Sequence, residues 1–484
     1  MNKIKLEKGI IYLLLPFRIN PESSLPAILS SNVWTKTVDK NPGLEFLLEP
    51  TRDFFSKNIR QDNIDETACL ILQPEKNALP FKMFNNKGFW LSRKAFDQQT
   101  EKETKLIRLP VYLDPGSFKL IFHPYTSIAI LIFSIELINQ DKNVIPTLED
   151  FIKLNYLIRV FNRQDEAFLI SINERDEERR KAELLNQAGN NSLYKAQDKG
   201  DPKTKGWRMG QLINYLLSEI NEKNEIQFFN PNHIVPYSYF QPSDEITDES
   251  IIHKALFYLR NVYDFDYMPP HGILESEEDF LHPYKQIYYA SSIEGGVIFN
   301  NAGQTDPEFI KTFYSGSFKN SLWVAILGLM QRTIFLQLMK EVYDVDPDDH
   351  QKIKDYLRRY ASISLKALFS KISVYHQHND FYDLIIKKLQ INELQKELKD
   401  ELNELNNLQR QFHEDEVERH EEEEKHYEKR LNVILFALSV FSLTEVTYAF
   451  LQSMSLPFLY HLLAIGIPIL LVVVFWQFLR FRKK

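Results

Sequence analysis

The stretch from Leu431 to the C-terminus constrains this chain more than any other feature. Leu431 to Leu451 reads LNVILFALSVFSLTEVTYAFL, and Leu456 to Leu479 reads LPFLYHLLAIGIPILLVVVFWQFL. At about 1.5 Å of rise per residue, either run covers a hydrocarbon core of about 30 Å. Only Gln452 to Ser455 separates them, so the pattern predicts two transmembrane helices in a tight hairpin. Trp476, near the basic end, suits an interfacial anchor. Lys425, Lys429 and Arg430 precede the first run, and Arg480, Arg482, Lys483 and Lys484 follow the second. The connection carries no Lys or Arg, which predicts a multi-pass protein of the cell (inner) membrane with both flanks cytoplasmic.

Glu445 interrupts the first run. An intramembrane carboxylate is costly and normally faces protein or water. On a seven-residue repeat, Asn432, Ser439, Val446 and Ser453 share one position, and Leu435, Ser442 and Ala449 share its neighbour. Glu445 and Gln452 flank this small, partly polar face. Small residues serve close helix packing; a polar face also suits a pore lined by several copies. Two spans cannot enclose a pore alone, so the second reading needs a homo-oligomer. Glu445 favours it, and the expected lining residues are Asn432, Ser439, Ser442, Glu445, Ala449 and Ser453.

Upstream, no Pro or Gly occurs between about Asp380 and Arg430. Ile391, Leu394, Leu398, Leu402, Leu405, Leu408 and Phe412 recur at intervals of three and four, the seam of a coiled or bundled helix. This stalk is predicted over 380–430, continuous with the first span. Its end is strongly acidic, with Glu414, Asp415, Glu416, Glu418, Glu421, Glu422, Glu423, Glu424 and Glu428. Charge runs are usually solvated helix faces. In an oligomer, Glu414, Glu418, Glu421, Glu422 and Glu424 would form a negative cytoplasmic vestibule that concentrates cations. Glu416, His420 and Glu424 have the i, i+4 spacing of a divalent-metal face, but no dedicated metal site is expected.

Residues 1–379 read as a cytoplasmic α/β sensory domain. Strands are expected at Ile10–Leu15, Ala68–Leu72, Leu106–Leu113 and Phe118–Phe122, and a buried strand or helix at Ser127–Ile138. The Ile10–Phe17 run reads as a buried strand rather than a secretory signal, being short and closed by Pro16 and Arg18. Helices are expected at Leu148–Asn162, Met209–Ile220, Ile251–Val262, Ser317–Val342 and Asp355–His376, the last feeding the stalk. A mobile insertion is expected over 173–207. Gln286 to Gly303 reads as a hairpin turning at Glu294–Gly295–Gly296, where Ser291, Ser292 and Glu294 could receive a small polar ligand. A plain turn explains the same residues.

A formal net charge of -8 argues against a direct nucleic-acid binder. Cys69 is the only cysteine, which leaves no intrachain disulfide framework and fits a reducing compartment. No P-loop, Rossmann glycine fingerprint, HExxH pair or nucleophile elbow occurs, so no enzyme and no tightly bound cofactor is expected.

The order of parts resembles the CorA family of magnesium channels: an α/β cytoplasmic domain, a stalk helix entering the first span, a short outer loop, and a second span with a basic tail. The resemblance rests on roughly Asp355 to Lys484. The fold expected is therefore an α+β cytoplasmic domain followed by a long stalk helix and a two-helix C-terminal transmembrane hairpin, CorA-like. The resemblance implies a pentamer with the first span lining the pore. It departs at the family's Gly-Met-Asn signature, because the chain reads Gln452–Ser453–Met454–Ser455–Leu456–Pro457. The longer body and missing signature are more similar to CorA-like effectors associated with type III CRISPR systems. That resemblance implies a nucleotide second messenger, the conjugate of S-adenosylmethionine and AMP, bound by the body to change membrane permeability in antiviral defence. The expected function is an oligomeric channel or membrane-permeabilising effector gated by such a ligand. A constitutive magnesium or other divalent-cation transporter and a membrane-tethered, non-conducting scaffold are the competing readings.

Overall fold

A computed structural model describes residues 4–20, 25–26, 28–31, 33–37, 43–60, 63–75, 89–97, 102–138, 145–160, 209–218, 220, 226–229, 233–269, 279–302, 307–347, 349–453, 466, 469–470 and 472–473. The chain divides into two compact units, Met1–Val345 with Gln351–Leu402, and Asp346–His350 with Asn403–Lys484. The insertion expected over 173–207 and most of the run Leu456–Leu479 lie outside the described residues.

The first unit is an α+β body built on one sheet. Among the described residues its strands are β1 (Leu6–Ile19), β2 (Trp34–Lys36), β3 (Leu70–Pro74), β4 (Phe89–Asp97), β5 (Lys102–His123), β6 (Ile128–Ile138), β7 (Ile226–Phe228), β8 (Val235–Pro242), β9 (Phe280–Tyr284), β10 (Ile287–Ser291) and β11 (Gly296–Asn300). The order is β2-β3-β5-β6-β1-β8-β11-β10-β9, with β4 on β5 and β7 on β1. Every pairing is antiparallel except β8 with β11.

β1 runs through Pro16. That residue lies between the end of the β8 ladder at Leu14↔Val235 and the start of the β7 ladder at Phe17↔Phe228, where its missing N–H costs nothing. The runs expected at Leu106–Leu113 and Phe118–Phe122 join as the single strand β5. Its ladder with β6 is interrupted between Asp114 and Lys119, and Ser117 Oγ accepts from Ser134 N at 2.7 Å to replace a lost rung. Ser127–Ile138 resolves as a strand because both of its neighbours, β1 and β5, pair with it.

Strand alternation gives the sheet two different faces. Leu13, Leu15 and Phe17 on β1, Leu131 and Phe133 on β6, and Phe240 and Phe299 belong to an aliphatic and aromatic core. Helices α1 (Glu49–Arg60), α2 (Leu148–Ile158), α3 (Met209–Leu217) and α4 (Glu249–Asn261) follow in the chain, and α2, α3 and α4 contribute to that core. α2 starts at a capping box, Thr147 with Asp150, and its Phe151 lies so close over Gly9 that a Cβ there would stand 2.6 Å from the ring. Residues of the other parity, Tyr12, Tyr237 and Tyr239, meet Phe318. Phe318 ends a π-helical turn, Tyr314–Phe318, between α5 (Pro307–Phe313) and α6 (Lys319–Tyr343).

α6 is apolar nearly all round and buried nearly all round. Gln331 on it donates to Ala367 O at 2.6 Å and to Tyr382 Oη at 2.8 Å, so its amide grips the segments that follow. Those segments depart from the expected helix over Asp355–His376. α7 (His350–Lys366) stops early, and beyond it Ser373 bridges Leu47 while its hydroxyl donates to Phe46 O at 2.6 Å. α8 (His376–Lys388) then begins, and the stalk helix α9 (Ile391–Ser453) follows after a break at Leu389–Gln390. The stalk is therefore not one helix from Asp380. Gln390 has φ 55°, and Arg332 Nη1 donates to the Leu389 carbonyl, features that sequence periodicity does not contain.

Candidate functional site

Two helical stretches, Glu308–Tyr343 and Ile391–Thr447, are long and apolar enough to cross a membrane among the described residues. The first is the core helix α6 with the turns before it, and its apolar side chains already have partners in the body. The second differs in kind. α9 is a 63-residue helix whose opening turns bury Ile391, Leu398 and Leu402, while the side chains described from Arg410 to Ala449 are almost all exposed. Leu438, Phe441 and Val446 are 59%, 71% and 67% exposed. A helix that leaves such a surface to water in one copy requires lipid or a protein partner. From Leu431 to Ser453 it measures about 34 Å, enough for the hydrocarbon core.

Three hydroxyls of this stretch are satisfied by the helix itself. Ser439 Oγ donates to Leu435 O at 2.8 Å, Thr444 Oγ1 to Phe441 O at 2.6 Å, and Thr447 Oγ1 to Leu443 O at 2.6 Å. Such back-bonding lets hydroxyls sit in an apolar medium. Asn432, Ser442, Glu445 and Ala449 are exposed on the same helix, and Ser453 is its last residue. Glu445 is the only charged residue between Leu431 and Leu451. Glu414, Glu418, Glu421, Glu422 and Glu424 are exposed in the same helix before the apolar run. Lys425 Nζ stands 3.6 Å from Glu421, an exposed pair worth at most about 1 kcal/mol. In the second expected span, Ile469, Leu470, Val472 and Val473 are helical and exposed.

Ser291, Ser292 and Glu294 fall at the β10–β11 turn. Ser292 Oγ donates to Arg260 O at 2.6 Å and accepts from Glu294 N at 3.0 Å and Gly295 N at 3.3 Å. Its hydroxyl is thus committed to closing the turn. Ser291 is buried, and the Glu294 carboxylate lies 3.7 Å from Arg159. Gly295 is required because a Cβ there would stand 2.9 Å from Pro236 O. Among the described residues, no group of three or more His, Cys, Asp or Glu side chains is placed to hold a metal ion. No family model, curated protein or solved structure matches the chain.

One charged cluster escaped the sequence reading. Lys8 Nζ sits 3.4 Å from the centre of the Tyr314 ring, on the sheet face that Phe318 covers. Glu136, opposite Ile10 in the β1–β6 register, joins it, as do Tyr12 and Asp114, both opposite Ser134. Burial lowers the Lys8 pKa and raises that of Glu136; it also raises both phenols, with Asp114 and Glu136 adding to the effect. The available signal was small: Glu136 is the only charge in the strand IAILIFSIELI. Pairing of β1, β5 and β6 brings these groups together, and no spacing in the chain announces that.

Proposed function

We propose that this protein is a homo-oligomeric membrane channel or membrane-permeabilising effector, with α9 carrying the pore face and the sheet body sensing a cytoplasmic ligand. The observation that supports it is the apolar, outward-facing stretch of α9 from Leu431, joined without a helix break to an acidic stretch that would attract cations. Copies of α9 would turn Asn432, Ser439, Ser442, Glu445, Ala449 and Ser453 toward a common axis, and Glu445 would face water rather than lipid. The second run, Leu456–Leu479, would complete a hairpin in the cell membrane with both flanks cytoplasmic. The resemblance to CorA-like proteins suggests five copies, and the likeness to type III CRISPR effectors suggests a nucleotide ligand such as the S-adenosylmethionine–AMP conjugate.

Reconstitution into liposomes tests the proposal. Purified protein should release an entrapped cation when the nucleotide is added on the side of the body. An intact oligomer that gives no flux with or without nucleotide would overturn the channel reading. Flux independent of nucleotide would favour the constitutive divalent-cation transporter.

A non-conducting anchor is the second reading, and the back-bonded hydroxyls of Ser439, Thr444 and Thr447 favour it. Groups satisfied within the helix need no water-filled path. Under that reading the body recruits a partner and Glu445 and Ser442 tolerate Ala without effect.

A further inference from the structure

The sequence from His376 to Ser453 has no Pro and no Gly, so nothing in its covalent chemistry ends a helix there. The fold nevertheless breaks it at Leu389–Gln390. Gln390 takes φ 55°, the left-handed region that costs any residue with a Cβ. It serves two helices at once: its N–H bonds Lys387 O at 3.2 Å to close α8, and its carbonyl accepts from Leu394 N at 3.0 Å to open α9. The bend is held from outside. Arg332 on α6 donates to Leu389 O, Lys388 pairs with Asp279, and Asp279 pairs in turn with Arg260 at 2.5 Å. Ile391, Leu398 and Leu402 are buried in the bent form.

Local and tertiary preferences therefore oppose each other at one residue. Returning Gln390 to right-handed helix would join α8 and α9 in one ladder and relieve its backbone strain. It would also release Leu389 O from Arg332 and move the start of α9. Strain that the surroundings impose can be released when those surroundings change. We infer that the α8–α9 elbow is a two-state joint, bent while α6 and Asp279 hold it and straight when they let go. The joint would determine the direction of the opening turns of α9 relative to α8. It stands independently of whether α9 lines a pore, because its two states are distinguished by distance and not by flux.

Gln390 is exposed, so substitutions there act through the backbone and leave the core packing alone. Spin labels at Asp380→Cys on α8 and Lys399→Cys on α9, both exposed, report the joint in the full-length chain. The native Cys69 is buried, and mixing with unlabelled chain suppresses distances between copies. A straight helix separates these sites by about 29 Å. The bent form gives a shorter distance. Gln390→Gly, which tolerates φ > 0, should reduce the straight population about tenfold relative to the parent. Gln390→Val, β-branched, should raise it, and Arg332→Met should raise it by removing the donor to Leu389 O. A single short distance in every variant, or a straight population that grows with Gly, overturns the joint. Should Arg332→Met fail to fold, the Gly and Val pair decides alone.

Discussion

Replacing Glu445 by Leu separates a pore-facing carboxylate from one that merely rides in an anchor. Between Leu431 and Leu451 there are 12 Leu, Ile, Val and Phe residues. At about 0.3–0.6 kcal/mol each near a bilayer centre, they favour insertion by roughly 4–7 kcal/mol. A charged side chain such as a carboxylate at that depth opposes it by about 3 kcal/mol, close to half of the total. Glu445→Leu removes this opposition and adds one more apolar group, a gain of about 3.5 kcal/mol or roughly 300-fold in the insertion equilibrium. A chain that carries such a cost for anchoring alone would gain from losing it. If Glu445 lines a cation path, the substitution should insert at least as well and lose cation flux. Membrane fractionation of the expressed protein measures insertion, and ligand-triggered release from liposomes measures flux. Better insertion with unchanged flux and unchanged ion selectivity would refute the placing of Glu445 at a pore.

Neutralising Glu421, Glu422 and Glu424 together to Gln should shift reversal potentials toward weaker cation preference, most clearly at low salt, where about 30 Å of Debye length leaves the charges unscreened. In the body, a Cβ at Gly328 would stand 2.2 Å from Ile385 Cγ2, a buried β-branched carbon with little rotamer freedom. Gly328→Ala gains about 1 kcal/mol of helix propensity but loses about 1–3 kcal/mol to overpacking, so the thermal midpoint should fall. Ile385→Ala in the same chain should recover part of that loss, seen as non-additivity in a double-mutant cycle. His123 is buried, and burial holds its pKa down to about 4 from the ordinary 6.5. The unfolded chain therefore binds a proton that the folded one refuses between these values. Stability should fall as pH drops from about 6.5 to 4, by up to about 3 kcal/mol from this group, and His123→Gln should flatten that part of a urea-midpoint profile.

Membrane-length apolarity, the stalk seam and the acidic run were legible in the chain, because each is a property of consecutive residues on one helix. A buried strand at β1 was legible too, as a short apolar run, whereas Ser127–Ile138 left strand and helix open until pairing with β1 and β5 decided it. A long apolar helix at Ser317–Val342 was recognisable, and its length and composition alone match those of a span; only packing against the sheet and α8 makes it a core helix. The break at Leu389–Gln390 had no local signal, since neither residue ends a helix by its own chemistry. It follows from Arg332 and Asp279, 57 and 109 residues away from their partners Leu389 and Lys388. The same holds for the Lys8, Asp114, Glu136 and Tyr314 cluster, which exists only through cross-strand register and the π-helical turn laid over it. Sequence determines what a segment can form by itself. Tertiary structure decides where a helix must bend and which charges must share a face, because those depend on partners far away along the chain.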